Sequence, residues 1–317
     1  MTERASSSAV RLDETSVAVV IPVYNGRETI GRALESAKAQ TCPPDEIAVV
    51  DDGSTDGTRE FVQNRFPDVS LVTHRTNRGG SAARNSGVES TSSELIAYLD
   101  ADDEWMDHYL ECQVGALQKS VETTAGIYCG FNRKRTAVDE LVVTLWQSVF
   151  PEPTIRNNPP GDRQLIPQIL SGSFYFGGAS TLVVSRSSHE KLGGWDESFE
   201  RHQDWQYVLD LILEGYNLGR CPEKLVLKHE TGAPAGEAVE RASARLLSKY
   251  EDQVHAAEKR GFDVEEAHVW SIATAYFRAG DFRQGGRWLR KARNPTVSRL
   301  AHLVYALWQG LRMSPFK

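Results

Sequence analysis

Carboxylates gather at three places in this 317-residue sequence: Asp51-Asp52 after the apolar run EIAVV, Asp100-Ala101-Asp102-Asp103 after ELIAYL, and Asp204 in the segment HQDW. Side chains alternate along an extended chain, so Asp100 and Asp102 can face one way while Ala101 turns aside. Carboxylates that converge on one crevice repel unless a cation joins them. A donor set made only of oxygen suits Mg²⁺ or Mn²⁺, with substrate phosphates completing the shell. The four cysteines, Cys42, Cys112, Cys129 and Cys221, form no CxxC pair and are far apart in sequence. Their spacing indicates neither a zinc site nor a disulfide framework, and fits a reducing compartment.

These acids need a scaffold, and the apolar pattern supplies one. Val17 to Val23 (VAVVIPV), closed by Tyr24-Asn25-Gly26, reads as a buried strand entering a turn. Ile30, Ala33, Leu34 and Ala37 recur at helical spacing before Cys42-Pro43-Pro44, and Glu46 to Val50 makes a second strand. A helix that Asp56 can cap, a strand at Val69 to Thr73, a helix at Ser81 to Val88 and a strand at Glu94 to Leu99 continue the rhythm. Strands alternating with helices imply a parallel, doubly wound sheet, whose ligands bind beyond the carboxyl ends of its strands. The first two acidic clusters fall there.

Past Trp105 the pattern predicts a helix through Leu110 and Leu117, strands near Gly126 to Phe131 and Leu141 to Leu145, and an irregular Pro- and Asn-rich loop from Phe150 to Gly161. A strand at Thr181 to Ser185 follows, then a helix at Trp205 to Leu213. From about Gly236 the sequence is helical. Ala267, Ala275, Tyr276, Gly280-Asp281, Trp288-Leu289, Ala292 and Pro295 are spaced like one tetratricopeptide-type unit. One such unit cannot bury its own face, so it is expected to pack on the domain as an appendage. The expected organisation is a tail at 1–15, an α/β domain at 16–235 with halves at 16–105 and 106–235, and a helical extension at 236–317.

Composition narrows the function classes. Lys and Arg number 36 against 43 Asp and Glu, a formal charge of −7, and 40% of residues are hydrophobic. Such a chain can bury a full core, and its charge argues against a bulk nucleic-acid binder. No run approaches the roughly 18 apolar residues of a membrane span, and Met1 to Ser16 lacks a signal-peptide core. The expected location is the cytoplasm.

In series, VAVVIPVYNG, EIAVVDDGSTDGT, NRGGSAARNSG, LIAYLDADDEW and GGWDESFERHQDW resemble the family 2 glycosyltransferases over roughly Ser16 to His229. The resemblance implies a GT-A type, Rossmann-like, mostly parallel sheet flanked by helices, and inverting transfer of a sugar from a nucleotide-diphosphate donor to a glycan or lipid-linked acceptor. It implies that Pro22 and Tyr24 line the base, with the aromatic ring offering a stacking face, and that Asp52 accepts a hydrogen bond from it. Asp102 would bind the Mn²⁺ or Mg²⁺ ion, Asp100 would touch the ribose or support the metal, and Asp204 would be the catalytic base. The family's usual acid before that base is Gln203 here, so acceptor preference does not transfer.

Several residues carry two readings. Pro22-Val23-Tyr24 either lines the base or merely ends a strand, and Asp51 can be structural. Arg84 offers a fork to the diphosphate or an internal ion pair. Asp204 is a base or a helix N-cap, Trp195 a wall of the sugar pocket or core, and His229 a metal or diphosphate ligand or a structural histidine. Ser54, Thr55 and Asp56 read as helix caps. Neither GxGxxG nor GxxxxGK[ST] is present, and no early activation loop rich in Gly, Arg and Lys supports a nucleotidyltransferase. A catalytically silent sugar-nucleotide binder whose helical tail recruits partners is the reading from another class. Leu300, Leu303, Val304, Leu307, Trp308 and Leu311 form an apolar stripe flanked by Arg299, Arg312 and Lys317, which either packs on the preceding helices or makes peripheral contact with the inner face of the membrane.

Overall fold

A computed structural model describes residues 15–134, 165–229 and 235–313 of the protein. Its strands are β1 (Val17–Val23), β2 (Glu46–Asp51), β3 (Ser70–Thr73), β4 (Leu95–Tyr98), β5 (Glu104–Trp105), β6 (Thr124–Lys134), β7 (Leu182–Ser185) and β8 (Asn217–His229). Among the described residues they form one sheet in the order β3-β2-β1-β4-β7-β6-β8-β5. The strands from β3 to β4 are parallel, as the alternating pattern requires, while β7 is antiparallel to β4 and β6, and β5 to β8. The expected strand at Leu141 to Leu145 and the loop from Phe150 to Gly161 lie outside the described residues.

Helices α1 (Ile30–Lys38), α2 (Thr58–Arg65), α3 (Gly80–Glu89) and α4 (Tyr109–Gln118) connect the early strands. The apolar residues of α1, Ile30, Ala33, Leu34 and Ala37, are all buried, as their spacing predicts. On α3, Gly87 permits close approach to the sheet: a Cβ there would lie 2.4 Å from Val20 Cγ1. Later helices are α5 (Leu165–Leu170), α6 (Arg186–Leu192), α7 (Gln203–Leu213), α8 (Gly236–Lys249), α9 (Glu251–Lys259), α10 (Val264–Arg278), α11 (Phe282–Leu289) and α12 (Val297–Met313). Helices α10 and α11 are the expected helix-turn-helix.

The chain forms two compact units, each from three segments. One comprises residues up to Asn132, Ala179–Gly194 and Tyr216–Lys228; the other comprises Arg133–Gly178, Trp195–Gly215 and His229 onward. The first holds the sheet and its core, from Val19 and Ile21 through Leu99 to Val183 and Val226. In the second, Trp270, Ala273 and Phe277 of α10 pack with Leu303 and Ala306 of α12.

This division differs from the expected boundary at residue 235. Helix α7 belongs with the C-terminal helices because polar groups of α8 and its end hold it. Tyr250 Oη donates to Asp210 Oδ1 at 2.6 Å and reaches the Gln206 carbonyl at 3.1 Å, while Lys249 Nζ lies 3.0 Å from Asp210 Oδ2. The apolar stripe on α12 is divided as well: Leu303 is buried, whereas Leu300, Val304 and Leu311 are exposed. Among the described residues no helix is long and apolar enough to cross a membrane.

Candidate active site

In the first unit, the loops after β1 and β2 are fastened to each other. Ser54 Oγ accepts from Asn25 N at 2.8 Å, Asn25 Oδ1 from Thr55 N at 2.8 Å, Thr58 Oγ1 from Gly26 N at 3.0 Å and Asp56 Oδ2 from Arg27 N at 3.0 Å. Ser54 and Thr55 thus join loops rather than cap a helix. Asp56 does both, since its Oδ1 accepts from Thr58 N at 3.0 Å, although Gly57 occupies the N-cap position of α2. Asn25 takes a left-handed φ of 50° at the crossing. The result presents Tyr24, 51% exposed, at the carboxyl end of β1 beside half-buried Pro22.

The two acids after β2 part company. Asp51 is fully buried and holds Arg59 Nε and Nη2, both at 3.1 Å, and Ser54 N. Asp52 is 3% exposed; Oδ1 takes His74 Nδ1 at 2.6 Å and Arg78 N at 2.9 Å, and Oδ2 takes Gly79 N at 2.8 Å. These bonds pin the loop before α3. A carboxylate has about four acceptor sites, so room for one further donor remains. His74, whose Nε2 lies 3.0 Å from Ser86 Oγ, is a member of this arrangement that no motif indicated.

Asp100, Asp102 and Asp103 follow β4 and bring carboxylate oxygens within 4.8 Å of one another. Ser180 bridges the turn, accepting from Asp100 N at 3.1 Å and donating to Asp103 Oδ2 at 2.5 Å. Arg84 is 7% exposed and donates from Nη2 to Asp100 Oδ1 at 2.7 Å. Of its two sequence readings, the structure contains the internal ion pair. Lys228 Nζ sits 2.6 Å from Asp103 Oδ2 and 3.9 Å from Asp100 Oδ2.

Burial works to raise both carboxyls. At Asp100 the charges of Arg84 and Lys228 outweigh it and hold the group below the ordinary carboxylate range. At Asp103 burial prevails over Lys228, with help from the charge of Asp100, and the group is pushed up to about 6. All the donors are oxygen, which fits Mg²⁺ or Mn²⁺. Lys228 of β8 reaches the acids, and His229, expected as a metal or diphosphate ligand, is the last residue of the same strand. A lysine ending the apolar run LVL was a visible signal; Ser180 offered none.

In the second unit, Asp204 is the second residue of α7. The N-cap position is His202, in the left-handed region at φ 58° and ψ 22°, so Asp204 is not the cap. Its Oδ1 accepts from Trp205 N at 3.0 Å, and a Cβ on Gly178, whose φ is +85°, would lie 3.0 Å from Oδ2. His202 stacks on Trp205 at 4.7 Å and meets His268 edge-on, and His268 Nε2 donates to the Leu170 carbonyl at 3.0 Å. Burial pulls His202 down to about 3, assisted by the neighbouring charges of His268 and Arg201, and pulls His268 down to about 4. Both are therefore neutral near pH 7. Trp195 is 2% exposed and stacked on Tyr207 with ring centroids 4.2 Å apart. Its face is covered, which places it in the core and corrects its reading as a pocket wall.

Residues 18–193, more than half of the chain, match the family described as Glycosyl transferase family 2. The amylovoran biosynthesis glycosyltransferase AmsB of Erwinia amylovora is 28% identical over 213 residues, 66% of each chain. The UDP-Glc:alpha-D-GlcNAc-diphosphoundecaprenol beta-1,3-glucosyltransferase WfgD of Escherichia coli is 34% identical over 113 residues, 34% of this chain and 44% of WfgD. The chain spans about a third to two thirds of the length of the curated relatives it matches. Among solved structures, S. aureus TarS 1-349 superposes with a TM-score of 0.58 at 17% identity, covering 94% of this chain and 88% of that one. Its complex with UDP-GlcNAc gives 0.55 at 17%, over 95% and 82%. These likenesses show the fold, a GT-A type sheet flanked by helices with a helical C-terminal region.

Proposed function

Because the chain belongs to glycosyl transferase family 2, we propose that it transfers a sugar from a nucleoside-diphosphate sugar to an acceptor hydroxyl, inverting the anomeric centre, in the synthesis of a polysaccharide or envelope glycan. The observation that carries this reading is the cluster of Asp100, Asp102 and Asp103 at the carboxyl end of β4, in the same unit as the fastened loops that present Tyr24 and Asp52. Tyr24 stacks on the base and the remaining acceptor site of Asp52 takes its N–H. Asp102 is the principal ligand for a divalent cation, with Asp100 in support; when bound, that ion supplies Lewis-acid neutralisation of the departing diphosphate. Lys228 and Arg84 keep Asp100 ionised, and Lys228 opposes protonation of Asp103.

Asp204 accepts the proton of the acceptor hydroxyl as that oxygen attacks the anomeric carbon from the face opposite the leaving group. One displacement inverts configuration and needs no second carboxylate nucleophile. The names of AmsB and WfgD support a glycan or lipid-linked acceptor, and that of the TarS complex recommends UDP-sugars as the first donors to test. Peripheral contact of the α12 apolar stripe with a membrane that carries such an acceptor is part of the same proposal.

The deciding experiment compares wild type with Asp204→Asn. Transfer of a radiolabelled sugar should fall by at least about a thousandfold while nucleotide-sugar affinity stays within about threefold, a loss in the range of general-base catalysis. Near wild-type transfer by the variant removes Asp204 from the role.

A further inference from the structure

The first unit holds a second group of metal-ligating side chains, away from the acids after β4. His108 and Cys112 stand one turn apart at the start of α4, and Glu223 faces them from β8, 115 and 111 residues further along the chain. His108 Nε2 is 3.2 Å from Glu223 Oε2, Cys112 Sγ is 3.4 Å from Glu223 Oε1, and one ligand atom from each residue lies within 4.8 Å of the others. The second nitrogen of His108 is also engaged: Nδ1 donates to Asp107 Oδ1 at 2.7 Å.

We propose that His108, Cys112 and Glu223 form a Zn²⁺ site that fastens α4 to β8. Zinc bonds of about 2.3 Å to sulfur and about 2.0–2.2 Å to nitrogen and oxygen place neighbouring ligands of a tetrahedron about 3.3–3.6 Å apart, so ligand atoms already within 4.8 Å of one another need only small side-chain shifts to meet one ion. Thiolate, imidazole and carboxylate together select zinc over the magnesium or manganese that suits the all-oxygen cluster. Asp107 occupies the place of the carboxylate that orients a metal-bound histidine. Binding displaces the thiol proton and, where His108 is the imidazolium, the proton at Nε2 as well, so one dication replaces one or two protons. The fourth position faces water, since Glu223 is exposed and the other two are partly so.

Cysteine spacing could not reveal this site. Its ligands come from a helix and a strand more than a hundred residues apart, and Cys112 meets Cys221 only in the fold. The ladder pairing Trp105 with Val226 lies between the zinc ligands and the contact of Lys228 with Asp103. A clamp at one end therefore steadies the other.

The test uses the full chain, reduced and stripped of metal, titrated with Co²⁺ as a spectroscopic stand-in and with Zn²⁺ against a chromophoric chelator. The expected result is a thiolate-to-cobalt charge-transfer band that saturates at one equivalent and that Zn²⁺ bleaches. Cys112→Ser should abolish the band. Asp107→Asn should weaken Zn²⁺ binding about 10–100-fold, and Asp102→Ala should leave the band in place, which separates this site from the acidic cluster. Absence of the band in wild type, its persistence in Cys112→Ser, or unchanged Zn²⁺ affinity in the surface variant Glu223→Gln overturns the proposal.

Discussion

At Asp103 a buried carboxyl meets the Ser180 hydroxyl at 2.5 Å and the Lys228 ammonium at 2.6 Å. Lys228 is the main group that opposes the effect of burial there, ahead of the Ser180 hydroxyl, so Lys228→Met should push Asp103 further above its present value of about 6. Removing one partner of a buried pair costs up to about 3–5 kcal/mol; urea denaturation should register this, and calorimetry should show weaker Mn²⁺-dependent binding of nucleoside diphosphate. Tyr24→Ala should weaken nucleotide binding by about 1–3 kcal/mol if the ring stacks on the base as proposed, without lowering stability, because the ring is 51% exposed. A loss of stability with unchanged affinity would assign Tyr24 to packing. The acids of the DAD segment were legible because an apolar strand delivers them to a sheet end. The partners of those acids were not, because Arg84, Ser180 and Lys228 come from three distant segments and no local pattern couples them.

On the scale of elements, α7 joins the proposed base to the C-terminal helices. Tyr250→Phe removes its bonds to Asp210 and to the Gln206 carbonyl and should cost about 1–3 kcal/mol. If α7 must be held for Asp204 to act, kcat should fall while the KM for donor stays put; a change in stability alone would limit Tyr250 to scaffolding. The strands and helices up to Trp105 were readable almost to the residue, since period and turn residues agree. The start of α7 was less so, for a left-handed histidine is outside the usual N-cap residues. The bracing of that helix was invisible, because the Tyr250–Asp210 contact spans 40 residues of sequence.

Considered as a whole, the molecule should lose stability on mild acidification. His189, His202 and His268 are pulled by burial to about 4, 3 and 4, against 6.5 for the free side chain. Below about pH 6.5 the unfolded chain binds protons that the folded chain refuses, so each contributes a loss of up to about 1.4 kcal/mol per pH unit. Asp103, raised to about 6, runs the other way between there and its unfolded value near 3.8 and offsets one of them. The melting temperature should therefore fall between pH 7 and 4.5, and His268→Gln should flatten the profile; an unchanged slope would mean the buried histidines do not control it. Truncation after residue 235 should abolish transfer and lower the melting temperature, because α7 loses Lys249 and Tyr250. Full activity in the truncated chain would restore the view of the helices as an appendage. Liposome co-sedimentation with and without residues 297–317 checks the role of α12, equal pelleting counting against it.

The interleaving of the two units also governs how the protein can be made. The sheet has β7 beside β4, yet β7 begins at Leu182 and β4 ends at Tyr98. At about 5–20 residues per second, a ribosome needs several seconds to cover that interval. Throughout it the nascent chain displays an unpaired apolar edge, Leu-Ile-Ala-Tyr, that is fully covered in the finished fold. Strand β8 follows later still. Rapid overexpression should accordingly favour edge-to-edge aggregation of half-made chains, and slower translation or a chaperone that shields β4 should raise the soluble yield.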